Sequence, residues 1–442
     1  MFKLSKYAVV AVLPTDAAQS LCFSTKTGEM LLIPTKVFDF IKNKEWSNLK
    51  FNELLELVRT ELLVCEDEDE TSFILQFDEM LQNNNILLST IQPTANCQLD
   101  CHYCGQVHSN VIMSDEILQK MLGRIKHIIL TNPNYKAVCI TWYGGEPLMA
   151  LDCICKFYED MFKFCGENSI NYTSDIITNG LLLTLENFEI LMKCKVRSIQ
   201  ITIDGPKETH DKRRITKDGK GSFDIIFNNL CNVIHSEIYS LYKPKIILRI
   251  NIDSTNYEEV PDLIDFLKTN NIFNKVNVFF APIIEWGDNG ADKISLTTKE
   301  FAEKEIEWLI LLYQNGQIYK ELLPIRKSLN CMVNDKYAED YDSFGNIFPC
   351  YEFAYTPIYQ NDDCIEGNVK NETKPEDKKI AKIRNFKNEF LSTKNKCKKC
   401  KFLPVCYGSC PKKWRKGADG CPTFKYNIQD RMILQYISQK MI

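Results

Sequence analysis

Apolar and polar positions near the start of the chain alternate in short runs that are typical of β-strands. Three such runs are rich in apolar and branched residues and are separated by turn residues. These predicted strands are Ala8–Leu13, Ser20–Ser24 and Glu29–Ile33. Apolar residues three and four positions apart then predict helices at Val37–Asn43, Asn52–Leu63 and Ser72–Asn83. Residues 1–84 are therefore predicted to form a small α+β domain of a winged-helix-like kind.

From Asn85 onward, apolar strand patterns alternate with amphipathic helical patterns. The predicted strands are Ile86–Ile91, Ala137–Trp142, Asn171–Ile177, Ser198–Ile203, Lys245–Ile252 and Lys275–Phe280. The predicted helices are Ser114–Leu130, Leu151–Phe164, Thr184–Cys194, Ser222–Ile238, Val260–Thr269 and Thr298–Tyr313. Parallel strands need crossover helices of this kind. Residues 85–323 are therefore predicted to be an α/β partial (βα)6 barrel, with an active site at the C-terminal ends of its strands.

The pattern changes again beyond Pro324, where the chain becomes irregular, charged and rich in cysteine. A lysine-rich connector is predicted from Asn371 to Lys399. We expect residues 324–442 to bury too little apolar surface to fold alone. Metal ligation would then supply the missing free energy of folding.

Composition and net charge limit the classes of partner that the chain is expected to bind. The 442 residues are 45% hydrophobic and 25% charged, as in ordinary globular proteins, and the formal net charge is -4. This charge disfavours nucleic acid and anionic membranes as partners. No apolar run approaches the roughly 20 residues that span a bilayer. A cytoplasmic protein with no nucleic-acid or membrane partner is predicted.

Nineteen cysteines are many for such a chain, and most of them are clustered. In a reducing compartment, clustered thiols usually bind metals rather than form disulfides. Others, such as Cys139 and Cys194, lie in apolar stretches, where cysteine usually serves as a small core residue. The first group is Cys97, Cys101 and Cys104, and the second is Cys331, Cys350, Cys397, Cys400, Cys406, Cys410 and Cys421.

The first group forms a C-x3-C-x2-C loop directly after the first predicted barrel strand. Three thiolates are too few for a closed tetrahedral zinc site, which normally takes four nitrogen or sulfur ligands. They suit an iron–sulfur cubane that keeps one iron without a protein ligand. A structural zinc knuckle, with His102 as a fourth ligand, is the alternative.

With this loop the chain resembles the radical S-adenosylmethionine (SAM) superfamily. The resemblance continues at Gly144-Gly145-Glu146-Pro147 after the second strand and at Ile201-Thr202-Ile203-Asp204-Gly205-Pro206, with His210 and Asp211 close behind. It implies that the glycine loop contacts the methionine amino group, although loop glycines also serve turns. Glycines allow close backbone approach, and a buried carboxylate accepts hydrogen bonds from an ammonium group. The residues that the resemblance places around SAM are Tyr103, Gly144, Gly145, Glu146, Thr178, Asn179, Thr202, Asp204 and Arg214.

The second group resembles the SPASM extension of radical SAM enzymes. Thirteen residues separate Cys331 from Gly345, and four more separate Gly345 from Cys350. The resemblance implies that Cys331, Cys350 and Cys410 hold a first auxiliary cluster, which keeps an open iron or takes a ligand from elsewhere, such as Cys364. A pair of zinc sites is the alternative. The ligands implied for a second auxiliary cluster are Cys397, Cys400, Cys406 and Cys421.

Taken together, the resemblance implies a [4Fe-4S] cluster that binds SAM and two auxiliary iron–sulfur clusters, most simply [4Fe-4S]. The reduced first cluster would cleave SAM to methionine and a 5'-deoxyadenosyl radical, which abstracts a hydrogen atom from the substrate. An electron donor such as flavodoxin or ferredoxin is implied as a partner. A non-catalytic iron–sulfur scaffold or electron-transfer protein is the alternative of another class.

One position bears on the substrate. Sulfatase-maturing relatives carry an Asp base directly after the cysteine that corresponds to Cys350, whereas this chain has Tyr351 and then Glu352. We therefore interpret the chain as a ribosomal-peptide maturase with Glu352 as its acid–base candidate, and keep a sulfatase-maturing enzyme as the alternative. The N-terminal pattern resembles PqqD-like domains, which would bind a precursor's leader as an added strand at Glu29–Ile33. A structural cap is the other interpretation of this domain.

Overall fold

Two compact units make up the chain in the computed structural model. The described residues are 2–81, 85–317, 321–326, 331–361, 363–371, 374–390, 396–417 and 420–440. The first unit comprises Met1–Asn83, Thr298–Asn334 and Asn385–Ile442, and the second comprises Asn84–Thr297 and Asp335–Arg384. The predicted helix end at Asn83 and part of the predicted Asn371–Lys399 connector lie outside the described residues. Each unit gathers segments that are distant in the sequence.

The described residues form strands and α-helices, joined by loops and short 3-10 turns. The strands are β1 Phe2–Leu4, β2 Ala8–Leu13, β3 Asp16–Ser24, β4 Met30–Pro34, β5 Leu63–Cys65, β6 Ile86–Ile91, β7 Ala137–Trp142, β8 Asn171–Thr178, β9 Val196–Thr202, β10 Lys245–Ile252, β11 Asn277–Pro282, β12 Glu339–Tyr341, β13 Asn346–Phe348 and β14 Gly367–Asn368. The helices are α1 Lys36–Lys42, α2 Phe51–Arg59, α3 Glu70–Leu81, α4 Asp115–Thr131, α5 Leu151–Glu167, α6 Leu185–Lys193, α7 Lys207–Arg213, α8 Phe223–Ile234, α9 Glu237–Tyr242, α10 Val260–Thr269, α11 Thr298–Gln314, α12 Phe386–Phe390, α13 Leu403–Cys406, α14 Pro411–Arg415 and α15 Phe424–Lys440.

Six parallel strands form the centre of the second unit in sequential order, from β6 to β11. Each pairs in parallel with the next one along the chain. Alternate residues such as Ile140 and Trp142 on β7 are fully buried, as the strand period of two requires. The predicted α/β partial barrel is confirmed. The carboxyl ends of its strands share one rim, which is where this fold carries its chemistry.

A strand that the sequence pattern did not predict extends this sheet. β12 pairs in parallel with β6, and β13 and β14 continue the sheet as antiparallel neighbours. The prediction of an irregular chain beyond Pro324 is wrong here, because polar side chains fill β12. Glu339 is fully buried and accepts hydrogen bonds from Arg124 on α4, at 2.7 and 2.8 Å, and from Lys378, at 2.8 Å. Buried ion pairs therefore hold this segment in the second unit.

The first unit has a core made from both ends of the chain. Leu21 and Phe23 on β3 pack in one cluster with Phe402, Ile428 and Met432. The last two belong to α15, a 17-residue helix in a region that was predicted to be irregular. The C-terminal segment therefore does not bury its apolar surface alone, as expected. The contribution of metal ligation to its folding stays a prediction. Its apolar side chains pack against the N-terminal β2-β3-β4 sheet.

Further helices differ from the sequence prediction. α11, predicted as a barrel crossover, belongs to the first unit and contacts α15 there. The predicted helix Ser222–Ile238 is two helices, because the side chain of Ser236 caps α9 by accepting a hydrogen bond from the Tyr239 N–H at 3.0 Å. α7, which carries His210 and ends at Arg213, was not predicted. In the part of the chain that the structure describes, no helix has the length and apolar character to cross a membrane.

Candidate functional site

The cysteine loop lies at the C-terminal rim of the barrel, directly after β6. Two other segments of the rim hold its backbone. The Asp100 N–H donates to the Ile215 carbonyl at 2.8 Å, and the Asn96 carbonyl accepts from the Glu146 N–H at 2.7 Å. Since Glu146 follows β7 and Ile215 lies beyond β9, two further βα segments fix where the cysteines stand.

Gly144 and Gly145 are required by this contact. Gly144 has φ +116°, and a Cβ there would lie 2.8 Å from the Thr94 carbonyl oxygen. A Cβ on Gly145 would lie 2.8 Å from the Asn96 carbonyl carbon. Any side chain would therefore push the two loops apart. Contact of these glycines with the methionine amino group stays a prediction.

Of the three cysteines of the loop, Cys97 is buried and Cys101 and Cys104 are partly buried. Burial raises the pKa of Cys97 to about 11 and that of Cys101 to about 12, so both thiols must lose a proton to bind a metal. Among the described residues, no group of three or more His, Cys, Asp or Glu side chains is close enough to hold a single metal ion. A four-iron cubane is larger than one ion and binds each thiolate at a different iron, so its ligands stand farther apart.

The side chain of Asn179 provides a hydrogen-bond donor to one sulfur of the cysteine loop. The Asn179 side-chain amide lies 3.6 Å from Cys97 Sγ and donates to Gln98 Oε1 at 3.1 Å. Hydrogen bonds to ligating sulfur stabilise the thiolate and raise the potential of a cluster. Of the predicted SAM-site residues, Asn179 is thus placed beside the predicted cluster ligands.

Glu146 connects three segments of the rim. Its side chain is fully buried, and its carboxylate accepts from Thr178 Oγ1 at 2.7 Å, the Asn179 N–H at 2.7 Å and the Leu148 N–H at 3.0 Å. Burial raises the pKa of this carboxyl, whereas the three hydrogen bonds lower it. A carboxylate offers about four acceptor positions, so about one remains. An ammonium group as its fourth donor stays a prediction.

Tyr103, Asp204 and Arg214 form one hydrogen-bonded group. Tyr103 Oη donates to Asp204 Oδ2 at 2.5 Å and accepts from Arg214 Nη1 at 2.5 Å. Asn251 completes it, since its side-chain amide donates to Tyr103 Oη at 3.1 Å and its N–H donates to Asp204 Oδ1 at 3.0 Å. This group brings together residues from the cysteine loop, from the segments that follow β9 and α7, and from β10.

Arg214 keeps donors that the protein does not use. Its side chain is buried, yet its Nε has no hydrogen-bond partner within the described residues. A buried donor without a partner is costly. Arg214 also lies close enough to Cys101 for each charge to affect the other's pKa. This orphaned donor beside the cysteine loop fits an anionic or hydroxyl-bearing ligand, as the methionine carboxylate or ribose of SAM would be.

His210 has an internal role. Its Nδ1 accepts from the Asp204 N–H at 3.2 Å, and its Nε2 lies 3.0 Å from Ser222 Oγ, which donates to the Arg214 carbonyl at 2.6 Å. Burial, with nearby Arg214 and Arg213, holds the pKa of His210 well below its usual range. A neutral His210 thus orients the backbone that carries Arg214.

Glu352 is half-buried and lies near Tyr143 at the same rim. The rings of Tyr143 and Tyr351 meet edge to face, with centroids 5.6 Å apart. Burial raises the pKa of Tyr143 well above its usual range, and the neighbouring charges of Glu352 and Cys104 add to this, while Arg249 opposes it. The structure therefore places the acid–base candidate near Cys104.

Several residues of this rim were missed by sequence reasoning. Tyr143 and Gln92 each follow a predicted strand directly, a position that was a usable signal. Asn251 lies inside a predicted strand, and Asp340 lies on a strand that was not predicted. Nothing in the hydrophobic pattern singled them out.

Four cysteines of the second group line one cavity in the first unit. Phe402, Leu403 and Trp414 also line it. Lys425 Nζ donates to Cys421 Sγ at 3.1 Å. Burial raises the pKa of Cys406 to about 12. The four cysteines are Cys397, Cys400, Cys406 and Cys421.

The three other predicted ligands are divided. Cys331 and Cys410 belong to the first unit and Cys350 to the second, as does Cys364. Their grouping around a first auxiliary cluster stays a prediction.

Comparison with known proteins bears on this rim directly. Residues 91–272 match the model of the radical SAM superfamily, a span that starts at the last residue of β6 and contains the cysteine loop, Glu146 and Arg214. This segment is therefore a radical SAM domain. Radical SAM enzymes work with a [4Fe-4S] cluster and SAM, so the predicted enzyme class and these two cofactors are confirmed.

This radical SAM chain is also similar to individual proteins over most of its length. It is 26% identical over 374 residues to the serine-type anaerobic sulfatase-maturating enzyme of Bacteroides thetaiotaomicron, which covers 75% of this chain and 84% of the relative. Native anSMEcpe with bound AdoMet and a Cp18Cys peptide matches with a TM-score of 0.57 and 20% identity, over 81% of this chain and 100% of that one. Streptococcus suis SuiB bound to precursor peptide SuiA matches with a TM-score of 0.52 and 15% identity, over 96% and 99%. The two solved structures establish a shared fold.

Proposed function

We propose that this radical SAM enzyme is a maturase that modifies a ribosomally made precursor peptide. The observation that carries the proposal is the Cys97–Cys104 loop at the barrel rim, with the unpartnered Arg214 Nε beside it. A reduced [4Fe-4S] cluster and SAM bound there supply a 5'-deoxyadenosyl radical that takes a hydrogen atom from the substrate. The protein's own residues bind and orient SAM and the substrate, and they shield the radical.

Named relatives support a peptide or protein substrate. SuiB was solved with its precursor peptide, and anSMEcpe with a Cp18Cys peptide. The sulfatase-maturating enzyme acts, by its name, on another protein. A substrate of this class needs an open rim rather than a closed pocket, and an open partial barrel supplies one.

Each part of the rim has a proposed task. Cys97, Cys101 and Cys104 hold the cluster, while Arg214 and Thr202 bind the carboxylate or ribose of SAM. Glu146, with Thr178 and Asn179, holds the rim segments together around the methionine end, and Tyr103 and Asp204 keep Arg214 in place. Glu352 accepts or donates the substrate's proton. Tyr143 and Tyr351 exclude water beside it.

The four-cysteine cavity of the first unit is the proposed site of the second auxiliary cluster. Its apolar walls and Lys425 suit a buried anionic cluster, since Lys425 compensates negative charge at Cys421. The first auxiliary cluster would take Cys331, Cys350 and Cys410. An electron donor such as flavodoxin or ferredoxin, and a reducing cytoplasm, complete the proposal.

The leader of the precursor would bind at the outer edge of β4. In the β2-β3-β4 sheet, β4 pairs on one side with β3, and among the described residues no strand pairs with its other side. The Ser24 N–H donates to the Glu29 carbonyl, and the Thr35 N–H donates to the Ala18 carbonyl. In an antiparallel pair, residues that bond to the neighbouring strand alternate with residues that do not. By that alternation, Met30 and Leu32 direct their N–H and C=O groups outward, where an extended peptide pairs.

The test of the function is a change in peptide mass. Anaerobic, cluster-loaded enzyme is incubated with SAM, dithionite and the short peptide that a neighbouring reading frame encodes. We expect a mass change of the peptide, with one equivalent of 5'-deoxyadenosine formed per hydrogen abstracted. An unmodified peptide beside continuing 5'-deoxyadenosine release would contradict a precursor-peptide substrate.

A separate experiment tests the leader site in the full-length chain. Leu32→Pro removes the outward N–H of β4 and is tolerated at an edge, whereas the matched Leu32→Thr keeps that N–H and a strand-forming side chain. We expect Leu32→Pro to weaken leader binding by about tenfold, as the loss of about 1.4 kcal/mol of main-chain hydrogen bonding predicts. Fluorescence anisotropy with labelled leader measures this. Equal affinity of the two variants would contradict strand addition at β4.

Sulfatase maturation is the second candidate, because a sulfatase-maturating enzyme is among the relatives that match over 75% of this chain. Tyr351 stands where those enzymes are expected to carry an Asp base. Incubation with a sulfatase-derived Cys or Ser peptide separates the candidates. Conversion of that peptide to formylglycine would favour the sulfatase assignment.

A further inference from the structure

An acidic side chain lies buried at the barrel rim in surroundings that offer it little stabilisation. Asp340 is fully buried at the centre of β12, and both oxygens of its carboxyl group accept from a single donor, Gln92 Nε2, at 3.0 Å each. In the described part of the chain, no Lys, Arg or His forms an ion pair with it. Burial raises the pKa of Asp340 well above its usual range, and the charges of Asp342 and Glu352 raise it further, while Gln92 opposes them.

The position of Asp340 in the sheet puts it next to the cysteine loop. It lies beside Thr90 in the parallel pairing of β12 with β6, one residue before the end of β6. Gln92 follows that end, and its N–H donates to the Tyr341 carbonyl at 2.8 Å. The Asp340–Gln92 pair therefore lies where β6 leads into the loop of the predicted cluster ligands.

Gln92 connects Asp340 with the segment that carries Glu352. Its Nε2 donates to the Tyr351 carbonyl at 2.7 Å, and its backbone carbonyl accepts from Tyr355 Oη at 2.7 Å. Asp340 fixes the Gln92 amide, and that amide fixes the peptide bond between Tyr351 and Glu352. A chain of two hydrogen bonds thus leads from the buried carboxyl to the turn of the acid–base candidate.

Stability does not account for an acid at this place. A carboxyl group with one neutral donor gains little from its hydrogen bond and loses its hydration. Replacement of both members of such a pair by apolar residues of the same shape can be neutral or stabilising, and valine has a high strand propensity. A role for Asp340 must lie in what it positions.

We propose that Asp340 is a positioning residue of the reaction: through Gln92 it fixes the Tyr351–Glu352 turn and so holds the Glu352 carboxylate in place near Cys104. The proposal rests on the proposed proton-transfer role of Glu352. It assigns to Asp340 and Gln92 no contact with the substrate or with SAM. Substitution of either residue lowers the amount of modified peptide formed for each radical, while SAM cleavage continues.

Three single variants of the full-length, cluster-loaded enzyme, and the double variant Asp340→Val with Gln92→Leu, test the inference. Asp340→Val removes the acceptor with little change of shape, and Gln92→Leu removes the donor. Asp340→Asn is the matched control, because its side-chain oxygen still accepts from Gln92. Peptide-level hydrogen exchange over residues 350–356 and the ratio of modified peptide to 5'-deoxyadenosine are both measured.

We expect Asp340→Val and Gln92→Leu to release 5'-deoxyadenosine as the parent does, with about fivefold less modified peptide for each molecule released. Amide exchange over residues 350–356 should be about threefold faster in both. The double variant should be no worse than either single one, since both break the same connection. Asp340→Asn should restore the parent's coupling ratio and exchange.

Unchanged exchange over residues 350–356 in Asp340→Val would overturn the proposal. So would a parallel loss of 5'-deoxyadenosine and product at constant ratio, or an Asp340→Asn variant as impaired as Asp340→Val. The exchange measurement needs no substrate, so it decides whether Asp340 fixes the turn even if the proposed peptide is not modified. Failure of the proposed function, in contrast, shows itself in the parent enzyme.

Discussion

At the scale of single residues, two neighbouring arginines at the end of α7 differ in their hydrogen bonds. One of them has a structural role, and the other is the candidate for ligand binding. Arg213 directs Nη1 to both Asp253 oxygens at 2.9 Å and Nη2 to the Asn251 carbonyl at 3.2 Å, so both of its terminal nitrogens are used within the protein. Its Nε, like that of Arg214, has no hydrogen-bond partner among the described residues. Arg214 bonds a side chain only through Nη1 in the described residues. The sequence places both after the same strand and cannot distinguish them. Only the fold shows that Arg214, unlike Arg213, bonds through one terminal nitrogen and lies close to Cys101.

The free donors of Arg214 predict a specific loss of SAM affinity. Arg214→Met removes charge-assisted hydrogen bonds worth about 1.5–3 kcal/mol, so we expect SAM to bind about 10- to 100-fold more weakly. Equilibrium dialysis on cluster-loaded protein measures this. Lys212→Met, at an exposed position of the same helix, is the control and should leave affinity unchanged. Equal affinities for both variants would show that Arg214 does not bind the cofactor.

Lys425 predicts the behaviour of a second cluster. A cationic donor to Cys421 stabilises added negative charge, so it raises the reduction potential of a cluster in the four-cysteine cavity. We expect Lys425→Met to shift that midpoint to a more negative value, and Lys425→Arg, which keeps the charge, to shift it less. Potentiometric titration followed by EPR reports the midpoints, with Lys440→Met on the same helix as control. A midpoint unmoved by Lys425→Met would rule out this influence.

At the scale of elements, sequence patterns found what hydrophobic burial determines. All six barrel strands lie within two residues of their predicted bounds at both ends, and β6, β7 and β10 match fully, because their apolar runs are buried in a parallel sheet. β12 was missed because its residues are Glu339, Asp340 and Tyr341. Its stability comes from buried ion pairs and from pairing with a strand some 250 positions earlier. No local pattern encodes either.

The ion pairs of β12 predict a pH-dependent stability. Burial alone would raise the pKa of Glu339, but Arg124 and Lys378 outweigh it and lower the pKa to about 2. The stabilisation is therefore complete above the unfolded value of about 4.3 and is lost as the pH falls towards 2. Removing one partner of a buried pair costs about 3–5 kcal/mol.

Glu339→Gln should therefore lower the thermal midpoint strongly at pH 7, and its difference from the parent should narrow below about pH 4. Differential scanning fluorimetry at several pH values measures both effects. Glu189→Gln, which breaks an exposed pair with Lys193, should change the midpoint little. A constant difference between parent and Glu339→Gln from pH 7 to pH 3 would contradict the assigned pKa.

At the scale of the whole molecule, chain order and spatial order differ. Segments predicted as separate N-terminal and C-terminal domains share the core of the first unit, where Phe23 packs near Phe402 and Val405. Cys400 and Cys406 contact the same cluster. Motif spacing identified the cysteines, but nothing in the spacing shows that an N-terminal sheet supports their cavity. Removal of residues 1–84 would disturb this core as well as any leader site.

This shared core predicts that a substitution near the N-terminus affects the C-terminal segment. Phe23 is fully buried, and Phe23→Ala should destabilise the first unit by about 3–5 kcal/mol. We expect faster limited proteolysis within residues 396–440 and less iron per chain. Phe157→Ala, at a fully buried position of the second unit, serves as a control of equal chemistry. If the two variants expose the same cleavage sites, the shared core is not supported.

The account as a whole depends on three thiolates that bind a cluster able to cleave SAM. The direct measurement is 5'-deoxyadenosine released by anaerobically reconstituted, dithionite-reduced protein, compared with a variant in which Cys97, Cys101 and Cys104 are all alanine. The account predicts release by the parent, none by the variant, and retention of the variant's C-terminal iron. Equal release by both proteins, or a parent that carries zinc and releases none, would contradict it.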